Sequence, residues 1–372
     1  MKTINIVGAG GIGRAAALLA LHRMPEKVTV YIGDRNEEAL RDCAIFCEQH
    51  ERLRTYELDM DDPPKEIFAD SDVILDCLPG SLAPQVARLA LEHECHYANL
   101  TEYVHETAEI RKMANGAKTG FILQTGLAPG YINVLAMDIL NRFKARHKVN
   151  HVEDVQMKVG ALTKSAIAPH YYGFTWSPVG VATEYVKDAI ILRDHKVVRV
   201  TALSEIQKLT IGGGMYEASY TSGGAADLPE ALKGQVNNLD YRTLRYPGHY
   251  DWVKNILESA PVGEDKIAYL QKTMLDVIPI YDDDIVVLYV HVTGYDNNAV
   301  LRRMERTVKV EPKDVAGRRL TAIQATTAAP LLESAQILLK GSYQGVVLQS
   351  MIEPSDFLFG EVVSFVYDQE GP

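Results

Sequence analysis

The pattern of apolar and polar positions changes once along the chain, near Asn133. Before this residue, short apolar runs of strand type each lead into a helical stretch. The predicted strands of this part are Thr3–Val7, Val28–Ile32, Arg54–Asp59, Ser71–Leu78, His96–Leu100 and Gly120–Gln124. Because parallel strands need a crossover connection and helices supply it here, the alternation predicts a doubly wound α/β domain.

Beyond Asn133, apolar positions recur at every second residue, which is typical of half-buried antiparallel strands. The predicted strands are Val152–Gly160, Lys196–Ala202, Leu209–Ile211, Met215–Thr221, Asp284–Thr293 and Arg303–Val310, and the predicted helices are Gly180–Leu192 and His249–Ser259. We expect an α+β substrate and dimerisation domain on a mostly antiparallel sheet. A helix at Thr326–Leu339 is expected to return to the first domain. The predicted domains are 1–125 with about 326–350, and 126–325 with about 351–372.

The first strand runs into the glycine pattern Gly8-x-Gly10-x-x-Gly13, and strong helix formers follow it. Gly8 makes the tight turn, Gly10 leaves room for a pyrophosphate, and Gly13 lets the helix pack close to the strand. The amides of Gly11 and Ile12 lie at the start of this helix, where its dipole favours phosphate. The pattern predicts an N-terminal dinucleotide-binding Rossmann domain. The alternative is a helix N-terminus that needs only a flexible turn.

An acidic residue follows at the distance expected of a ribose-binding carboxylate. Asp34 comes 21 residues after Gly13, and its carboxylate can accept from both ribose hydroxyls while repelling a 2′-phosphate. The expected cofactor is therefore NAD. Arg35 leaves NADP possible, because an arginine there can meet that phosphate. Asp59 and Met60 end the third strand, either at an adenine edge or in an acidic, solvated loop.

Two turns at strand ends are expected to face the ligand crevice of the sheet. The dipeptide Leu78-Pro79 follows the fourth strand, where the nicotinamide is expected. The stretch Gly126–Asn133 opens a helix and links the two domains. It serves either as a rigid hinge or as a substrate contact through Ala128, Pro129 and Asn133.

Two arginines, two tyrosines and a histidine crowd into Tyr241–His249, which is unusual in an acidic protein. A surface β-turn needs only Pro247 and Gly248 of this stretch. Arg245 is suited to hold a carboxylate through two parallel hydrogen bonds. His249 is expected to titrate near neutrality and to act as an acid or a base. The stretch therefore predicts a substrate site.

The sequence carries a net charge of −11 over 372 residues. This balance argues against a nucleic-acid or anionic-membrane partner, and no apolar run approaches the roughly 18 residues of a membrane span. Since Met1-Lys2 leads directly into a strand, we expect no signal peptide and a cytoplasmic location. The four cysteines are expected as free thiols, with no metal site. An exposed antiparallel edge in the second domain favours a homodimer.

Several strings of residues together resemble the saccharopine dehydrogenase / lysine 6-dehydrogenase family. Besides the glycine pattern, they are Gly126–Gly130, Trp176–Gly180, Glu184-Tyr185, Thr243–His249 and Gly341–Val346. The string Thr243–His249 is the most specific, and the resemblance covers nearly the whole chain. It implies a nicotinamide-dependent oxidoreductase that acts on a C–N bond of an amino-acid substrate.

The resemblance also implies roles for residues that pattern alone does not mark. The string Thr101-Glu102-Tyr103 matches the loop between cofactor and substrate, and Ser177 matches a serine on the cofactor side. From the residues alone, Ser177 is at least as well suited to cap the helix that begins at Pro178. Ala128 stands where saccharopine-forming members carry an aspartate, which favours the lysine 6-dehydrogenase branch.

The expected reaction is hydride loss from an amine carbon to give an imine. Arg245 would hold the substrate carboxylate, and either His249 or Tyr185 would accept a proton from the amine. Thr243 is assigned to the same site. One alternative is a reductive condensation of the saccharopine or carboxynorspermidine type. Another is a dinucleotide-binding redox sensor, which would not need this polar cluster.

Overall fold

The computed structural model describes residues 1–24, 27–341 and 343–368. The chain divides into two compact units. The first consists of Met1–Val134, Lys313–Leu320 and the segment from Gln324 onward, and the second consists of Leu135–Pro312 and Thr321–Ile323.

The described residues form seventeen strands and thirteen α-helices. The strands are β1 (Lys2–Val7), β2 (Val28–Asp34), β3 (Leu53–Glu57), β4 (Val73–Asp76), β5 (His96–Asn99), β6 (Gly120–Ile122), β7 (Val152–Thr163), β8 (Ala189–Arg193), β9 (Lys196–Val200), β10 (Gln207–Ile211), β11 (Gly214–Tyr220), β12 (Val236–Arg245), β13 (Asp284–Tyr295), β14 (Leu301–Val310), β15 (Lys313–Val315), β16 (Arg318–Leu320) and β17 (Gly345–Val347). The helices are α1 (Gly11–Arg23), α2 (Glu37–Phe46), α3 (Lys65–Ala69), α4 (Ala83–Glu92), α5 (Val104–Met113), α6 (Tyr131–His147), α7 (Pro178–Val186), α8 (Leu228–Ala231), α9 (His249–Ser259), α10 (Lys266–Val277), α11 (Ala322–Leu339), α12 (Pro354–Leu358) and α13 (Glu361–Tyr367).

The first unit is built on a seven-stranded sheet with the strand order β17-β6-β5-β4-β1-β2-β3. All neighbouring strands pair in parallel. The central strands are apolar and fully buried, as at Ile4, Ile6 and Leu75, because helices cover both faces of such a sheet. The predicted doubly wound Rossmann architecture is confirmed.

The second unit is built on an eight-stranded sheet. Its main path runs β10-β11-β12-β7-β13-β14, while β8 pairs with β12 and β9. Strands β12 and β7 are parallel, and the other neighbours are antiparallel. This agrees with the predicted α+β domain on a mostly antiparallel sheet.

One predicted helix is wrong in its second half. Helix α7 ends at Val186, and β8 follows instead of further helical turns. Strand β8 pairs with β9 across a tight connection at Asp194 and His195. Ala189 and Ile191 are buried in the resulting hairpin, so tertiary packing determines the structure here. The sequence pattern does not predict strand β12 or helix α10.

The C-terminal segment belongs to the first unit, whereas the sequence-based boundaries place about 351–372 in the second domain. The Tyr367 ring stacks on Tyr131 at 3.6 Å, and its hydroxyl donates to the Thr326 carbonyl at 2.7 Å. The buried Glu333 of α11 accepts from the amide of Val363 at the start of α13. Ser342 of the string Gly341–Val346, and residues 369–372, lie outside the described residues.

No helix in the described part of the chain is long and apolar enough to cross a membrane. Cys43, Cys47 and Cys95 are buried free thiols, and Cys77 is a half-buried one.

Candidate active site

The strand order of the first sheet reverses between β1 and β4. Ligands of doubly wound sheets bind at such a point, outside the carboxyl ends of the strands. Gly8 makes the turn after β1 with φ +106°, and its amide donates to the Gly33 carbonyl at 2.7 Å. A Cβ on Gly8 would lie 2.9 Å from the Cys77 carbonyl group. The turn after β1 is therefore packed directly against the end of β4.

The glycine turn has the shape that a bound diphosphate requires. A Cβ on Gly13 would lie 1.8 Å from the Gly8 carbonyl oxygen, so only glycine allows this close packing. A Cβ on Gly10 would meet nothing within 4 Å, which leaves open space above the turn. Gly10 precedes α1 without a side-chain cap. The first-turn amides, including those of Gly11 and Ile12, are thus suited to an anion.

The carboxylate of Asp34 is fixed beside this turn. One oxygen accepts from the Ala9 amide at 2.7 Å, and the other accepts from the Asn36 amide at 2.9 Å. A carboxylate oxygen can accept more than one hydrogen bond, so both oxygens keep capacity for ribose hydroxyls. Arg35 is exposed. The residues of this edge fit a dinucleotide.

The residues after β3 form hydrogen bonds that hold their own loop in place. Asp59 is exposed, and its carboxylate accepts from the Asp61 amide at 2.9 Å. Met60 is half-buried, and its carbonyl accepts from the Gln85 side chain at 2.6 Å. Their position at the carboxyl edge is compatible with an adenine contact, while the Asp59 bond is typical of a solvated turn.

The loops after β4 and β5 pack on one another. The Leu78 amide donates to Asp76 at 3.0 Å. A Cβ on Gly80, one residue past Pro79, would lie 2.3 Å from the Thr101 hydroxyl and 3.0 Å from the Tyr103 ring. Glu102 lies between these last two residues and is half-buried. The structure thus brings Leu78-Pro79 and Thr101-Glu102-Tyr103 to the same edge.

The turn before α6 is closed by its own groups. The Gly126 amide donates to the Pro129 carbonyl at 2.9 Å, and the Asn133 side-chain oxygen accepts from the Gly130 amide at 2.8 Å. Asn133 and Pro129 are buried, and Ala128 is half-buried. These contacts make the turn rigid, and both the hinge and the substrate-contact interpretations stay predictions.

The cluster predicted in the second half of the chain is assembled within the second unit. Arg245 ends β12 and is 1% exposed. Its Nε donates to the Tyr185 hydroxyl of α7 at 2.6 Å, and its Nη1 donates to the Leu244 carbonyl at 2.8 Å. The guanidinium carbon lies 4.8 Å from the Tyr172 ring centre. Nη2 makes no hydrogen bond with the described residues, so this end of the fork is available to a ligand.

The hydrogen-bond geometry defines the proton positions around His249. Its Nδ1 lies 2.6 Å from the His170 carbonyl oxygen, which can only accept, so Nδ1 carries the proton. Its Nε2 lies 3.0 Å from the Tyr185 hydroxyl. That hydroxyl accepts from Arg245 and donates to Nε2. Arg245 therefore donates to Tyr185, Tyr185 donates to His249, and the neutral His249 ring donates to the His170 carbonyl.

Burial makes both predicted bases poor proton acceptors. Burial, and then the charge of Arg245, lowers the pKa of His249 to about 3. The expectation that His249 titrates near neutrality is therefore wrong. Burial also raises the pKa of Tyr185 well above its ordinary value, although Arg245 opposes the shift. Burial alone would lower the pKa of Arg245, but its aromatic and acidic neighbours raise it, and the guanidinium stays charged.

Thr243 and Ser177 form hydrogen bonds within the protein that give each of them a structural role. The Thr243 hydroxyl lies 2.6 Å from the Thr221 hydroxyl, and the Thr243 carbonyl accepts from the Tyr250 hydroxyl at 2.5 Å. Ser177 accepts from the Gly180 amide at 3.3 Å and caps α7. The capping interpretation of Ser177 agrees with this contact.

Glu217 is a site residue that the sequence reasoning missed. It lies on β11, is 2% exposed, and pairs in register with Arg245. Its carboxylate accepts from the amides of Gly248 at 3.1 Å and Tyr250 at 2.7 Å, and so fixes the start of α9. The available signal was a carboxylate between the apolar neighbours Tyr216 and Ala218, since such a group is buried only with partners.

Two family descriptions match the chain. Residues 4–122 match the saccharopine dehydrogenase NADP binding domain, and residues 126–362 match the saccharopine dehydrogenase C-terminal domain. The first unit is therefore an NAD(P)-binding domain, in agreement with the fit of its glycine turn and Asp34.

Curated relatives are similar over about half of the chain. The mitochondrial alpha-aminoadipic semialdehyde synthase of Rattus norvegicus is 26% identical over 196 residues, which are 51% of this chain and 21% of the relative. The alpha-aminoadipic semialdehyde synthase of Arabidopsis thaliana is 27% identical over 196 residues, which are 48% of this chain and 18% of the relative. The matched region thus spans about a fifth of these longer proteins.

Solved structures show the same fold over nearly the full length. Apo saccharopine dehydrogenase (L-Glu forming) from Saccharomyces cerevisiae has a TM-score of 0.72 at 15% identity, covering 95% of this chain and 94% of that one. Homospermidine synthase from Legionella pneumophila, in complex with NAD, has a TM-score of 0.69 at 13% identity, covering 100% and 90%. At these identities the likeness describes the fold alone.

Proposed function

Because the chain belongs to the saccharopine dehydrogenase family, we propose that it is an NAD(P)-dependent oxidoreductase that acts on a C–N bond of an amino acid. Lysine 6-dehydrogenase-like oxidation of a side-chain amine is the reaction that we favour. The observation that carries the proposal is the buried Arg245, whose Nη2 makes no hydrogen bond with the described residues. A buried cation with a free donor end is suited to the carboxylate of a small substrate.

The role of Arg245 is to bind and orient the substrate. Its Nε is held by Tyr185, whose hydroxyl is in turn held by His249. Nη2, and the second hydrogen of Nη1, whose first hydrogen goes to the Leu244 carbonyl, are then placed to donate to the two oxygens of a carboxylate. Fixing the acid group fixes the distance to the reacting amine carbon, and orientation of this kind lowers the barrier substantially.

No residue of the cluster needs to remove a proton in the oxidation step. A bound nicotinamide would supply the acceptor for the hydride that leaves the amine carbon. The nitrogen lone pair then forms the second C–N bond, so a neutral amine becomes an iminium cation without losing a proton. Since His249 has a pKa of about 3, we propose that the amine enters neutral and that Tyr185 and His249 act as positioning residues. Water then hydrolyses the iminium to an aldehyde and ammonium, and the aldehyde can cyclise with the remaining amine of the product.

The preferred cofactor is proposed to be NAD. Asp34 is held by the amides of Ala9 and Asn36 at the end of β2, where its negative charge opposes a 2′-phosphate. Arg35 is exposed next to it and is the residue through which NADP could be accommodated.

Two alternatives remain from the sequence. A reductive condensation, of the saccharopine or carboxynorspermidine type, uses the same cofactor and the same carboxylate anchor. Ala128 in place of an aspartate argues against the saccharopine reaction. A non-catalytic redox sensor would bind the dinucleotide but would not need Arg245 held by Tyr185 and His249.

A substrate screen separates these possibilities. Formation of reduced nicotinamide is followed with lysine, saccharopine and carboxynorspermidine, each with NAD and with NADP. Oxidation of lysine supports the proposal. Turnover of one of the other two substrates in its place selects the condensation chemistry. Tight cofactor binding without any turnover selects the sensor and contradicts the proposal.

A further inference from the structure

A buried polar chain joins the carboxyl ends of β4, β5 and β6, and the proposed chemistry does not use it. Asp76 ends β4 and is 2% exposed. One of its oxygens accepts from the Leu78 amide at 3.0 Å, and the other accepts from the Tyr97 hydroxyl at 2.7 Å. Asn99 donates to the Tyr97 oxygen at 3.2 Å, and its own oxygen accepts from the Gln124 amide at 2.8 Å.

The direction of donation in this chain is set from the Gln124 end. The Gln124 amide can only donate, so the Asn99 oxygen faces it and the Asn99 nitrogen faces Tyr97. Tyr97 donates its proton to Asp76 at 2.7 Å, because its other acceptor, the Ala83 carbonyl, is farther away at 3.3 Å. The carboxylate receives two donors and contributes none, which is the pattern of an ionised group. An ionised Asp76 therefore fits the hydrogen bonds seen in this chain.

The loop that Asp76 holds lies at the NAD(P) edge of the sheet. Leu78 comes two residues after Asp76, and a Cβ on Gly8 would lie 3.2 Å from the Leu78 amide nitrogen. Further along the loop, Gly80 packs on Thr101. A shift of the Leu78 amide would therefore disturb both the phosphate turn after β1 and the loop after β5.

We propose that Asp76 is a positioning residue of the cofactor site, and that its ionised form holds the loop after β4 in the shape that binds NAD(P). Protonation of Asp76 weakens its hydrogen bonds to Leu78 and Tyr97, because a neutral acceptor binds more weakly than a charged one. Cofactor affinity then depends on pH. The inference rests on the NAD(P) site and is independent of which amine is oxidised.

The surroundings of Asp76 place this titration near neutrality. Burial raises the pKa of Asp76 to about 7, and the hydrogen bonds from Tyr97 and Leu78 oppose this rise. Within the described part of the chain, the charge of Asp76 acts on Cys77 and Tyr97. Asp76 raises the pKa of Cys77 on the following residue, where burial is the larger cause. It also raises the pKa of Tyr97 on β5, again after burial.

The test is the dissociation constant of NAD, measured by titration calorimetry between pH 6 and pH 8.5. In the unmodified protein, affinity is expected to fall about fivefold as the pH drops through the pKa of Asp76. In Asp76→Asn, the side-chain oxygen can still accept from the Leu78 amide. The side-chain nitrogen can donate to the Tyr97 oxygen, and the Tyr97 hydroxyl can then donate to the Ala83 carbonyl at 3.3 Å. This variant is expected to bind NAD with no such step.

Two further variants keep the test decisive. Tyr97→Phe removes a hydrogen bond that lowers the pKa of Asp76, so the midpoint of the affinity step should move upward by about one pH unit. Asp72→Asn is the matched control, because Asp72 pairs with Lys2 at the amino end of β4; its profile should equal that of the unmodified protein. A step that persists in Asp76→Asn, or a midpoint unmoved in Tyr97→Phe, overturns the proposal. Neither result depends on amine turnover.

Discussion

Arg245 and Glu217 stand opposite one another in the antiparallel pair of β12 and β11, yet their charges serve different neighbours. Arg245 donates to the Tyr185 hydroxyl and the Leu244 carbonyl. Glu217 accepts from the amides of Gly248 and Tyr250. Because the carboxylate is committed to the start of α9, the guanidinium keeps a donor end for a substrate. Glu217 therefore fixes the position of His249 at the start of α9, and Arg245 keeps a donor for the substrate.

Replacement of Glu217 should destabilise the second unit. Glu217→Ala leaves two buried amides without their charged acceptor, and we expect a loss of about 3 kcal/mol in the free energy of unfolding. Glu217→Gln keeps one acceptor oxygen and should lose about half as much. Chemical denaturation measures both values. Glu258→Ala, at an exposed position on α9, is the control and should change stability by less than about 0.5 kcal/mol. If Glu217→Ala is as stable as the unmodified protein, Glu217 does not have this role.

Arg245→Lys should raise KM for the amino acid by about 100-fold, because a lysine cannot form two parallel hydrogen bonds to a carboxylate. The dissociation constant of NAD should stay nearly unchanged. Steady-state kinetics and calorimetry measure the two quantities.

The matched control is Arg242→Lys. Arg242 is buried on the same strand, but an odd spacing of three residues places it on the opposite face of the sheet. This variant should keep its KM within about twofold. A loss of cofactor affinity in Arg245→Lys, with KM unchanged, would assign Arg245 to the cofactor instead.

The pH profile of kcat/KM should rise steadily through neutrality. The pKa of His249 is lowered from 6.5 to about 3, so His249 is neutral throughout the range from pH 6 to pH 9. The rate then follows the neutral fraction of the substrate amine, and log kcat/KM for lysine should rise by about one unit per pH unit between pH 7 and pH 9. A plateau beginning near pH 7 would show that a group such as His249 accepts the proton after all.

The same shift predicts how His249 affects stability. Its pKa is lower in the folded protein than in the unfolded chain, so its contribution is complete above about pH 6.5 and is lost as the pH falls toward 3. His249→Gln should therefore flatten the fall in unfolding free energy between pH 6 and pH 4. Denaturation series at several pH values measure this slope. An unchanged slope in the variant would mean that other groups cause the whole effect.

Asp34→Ser should shift cofactor preference toward NADP. The substitution removes the negative charge that opposes a 2′-phosphate and leaves Arg35 beside it. The ratio of the dissociation constants for NAD and NADP should change by at least about tenfold, or about 1.4 kcal/mol. If the variant still prefers NAD to the same degree, Asp34 does not bind the ribose hydroxyls.

The dinucleotide turn could be predicted because its determinants are local. Gly8, Gly10 and Gly13 act within one strand–turn–helix, and each needs only its neighbours to have its effect. The helix start at His249 was likewise signalled by the preceding Pro247-Gly248 turn. These elements therefore appear in the structure where the sequence places them.

Contacts between distant segments could not be read from the sequence. Residues 189–193 look helical until they pair with β9. Strand β12 was missed because its polar residues Asp240 and Arg242 face one side of the sheet while Thr243 and Arg245 face the other, and both sides are buried. The low pKa of His249 could not be predicted for the same reason, since only the fold brings Arg245 and the aromatic rings around this side chain.

The most direct test of the account compares lysine with cadaverine, its analogue without the carboxylate, in an assay that follows the formation of reduced nicotinamide. We expect oxidation of lysine and a loss of at least about 100-fold in kcat/KM for cadaverine, since Arg245 then has no acid group to hold. Equal oxidation of both amines, or no reduced nicotinamide from either, would contradict it.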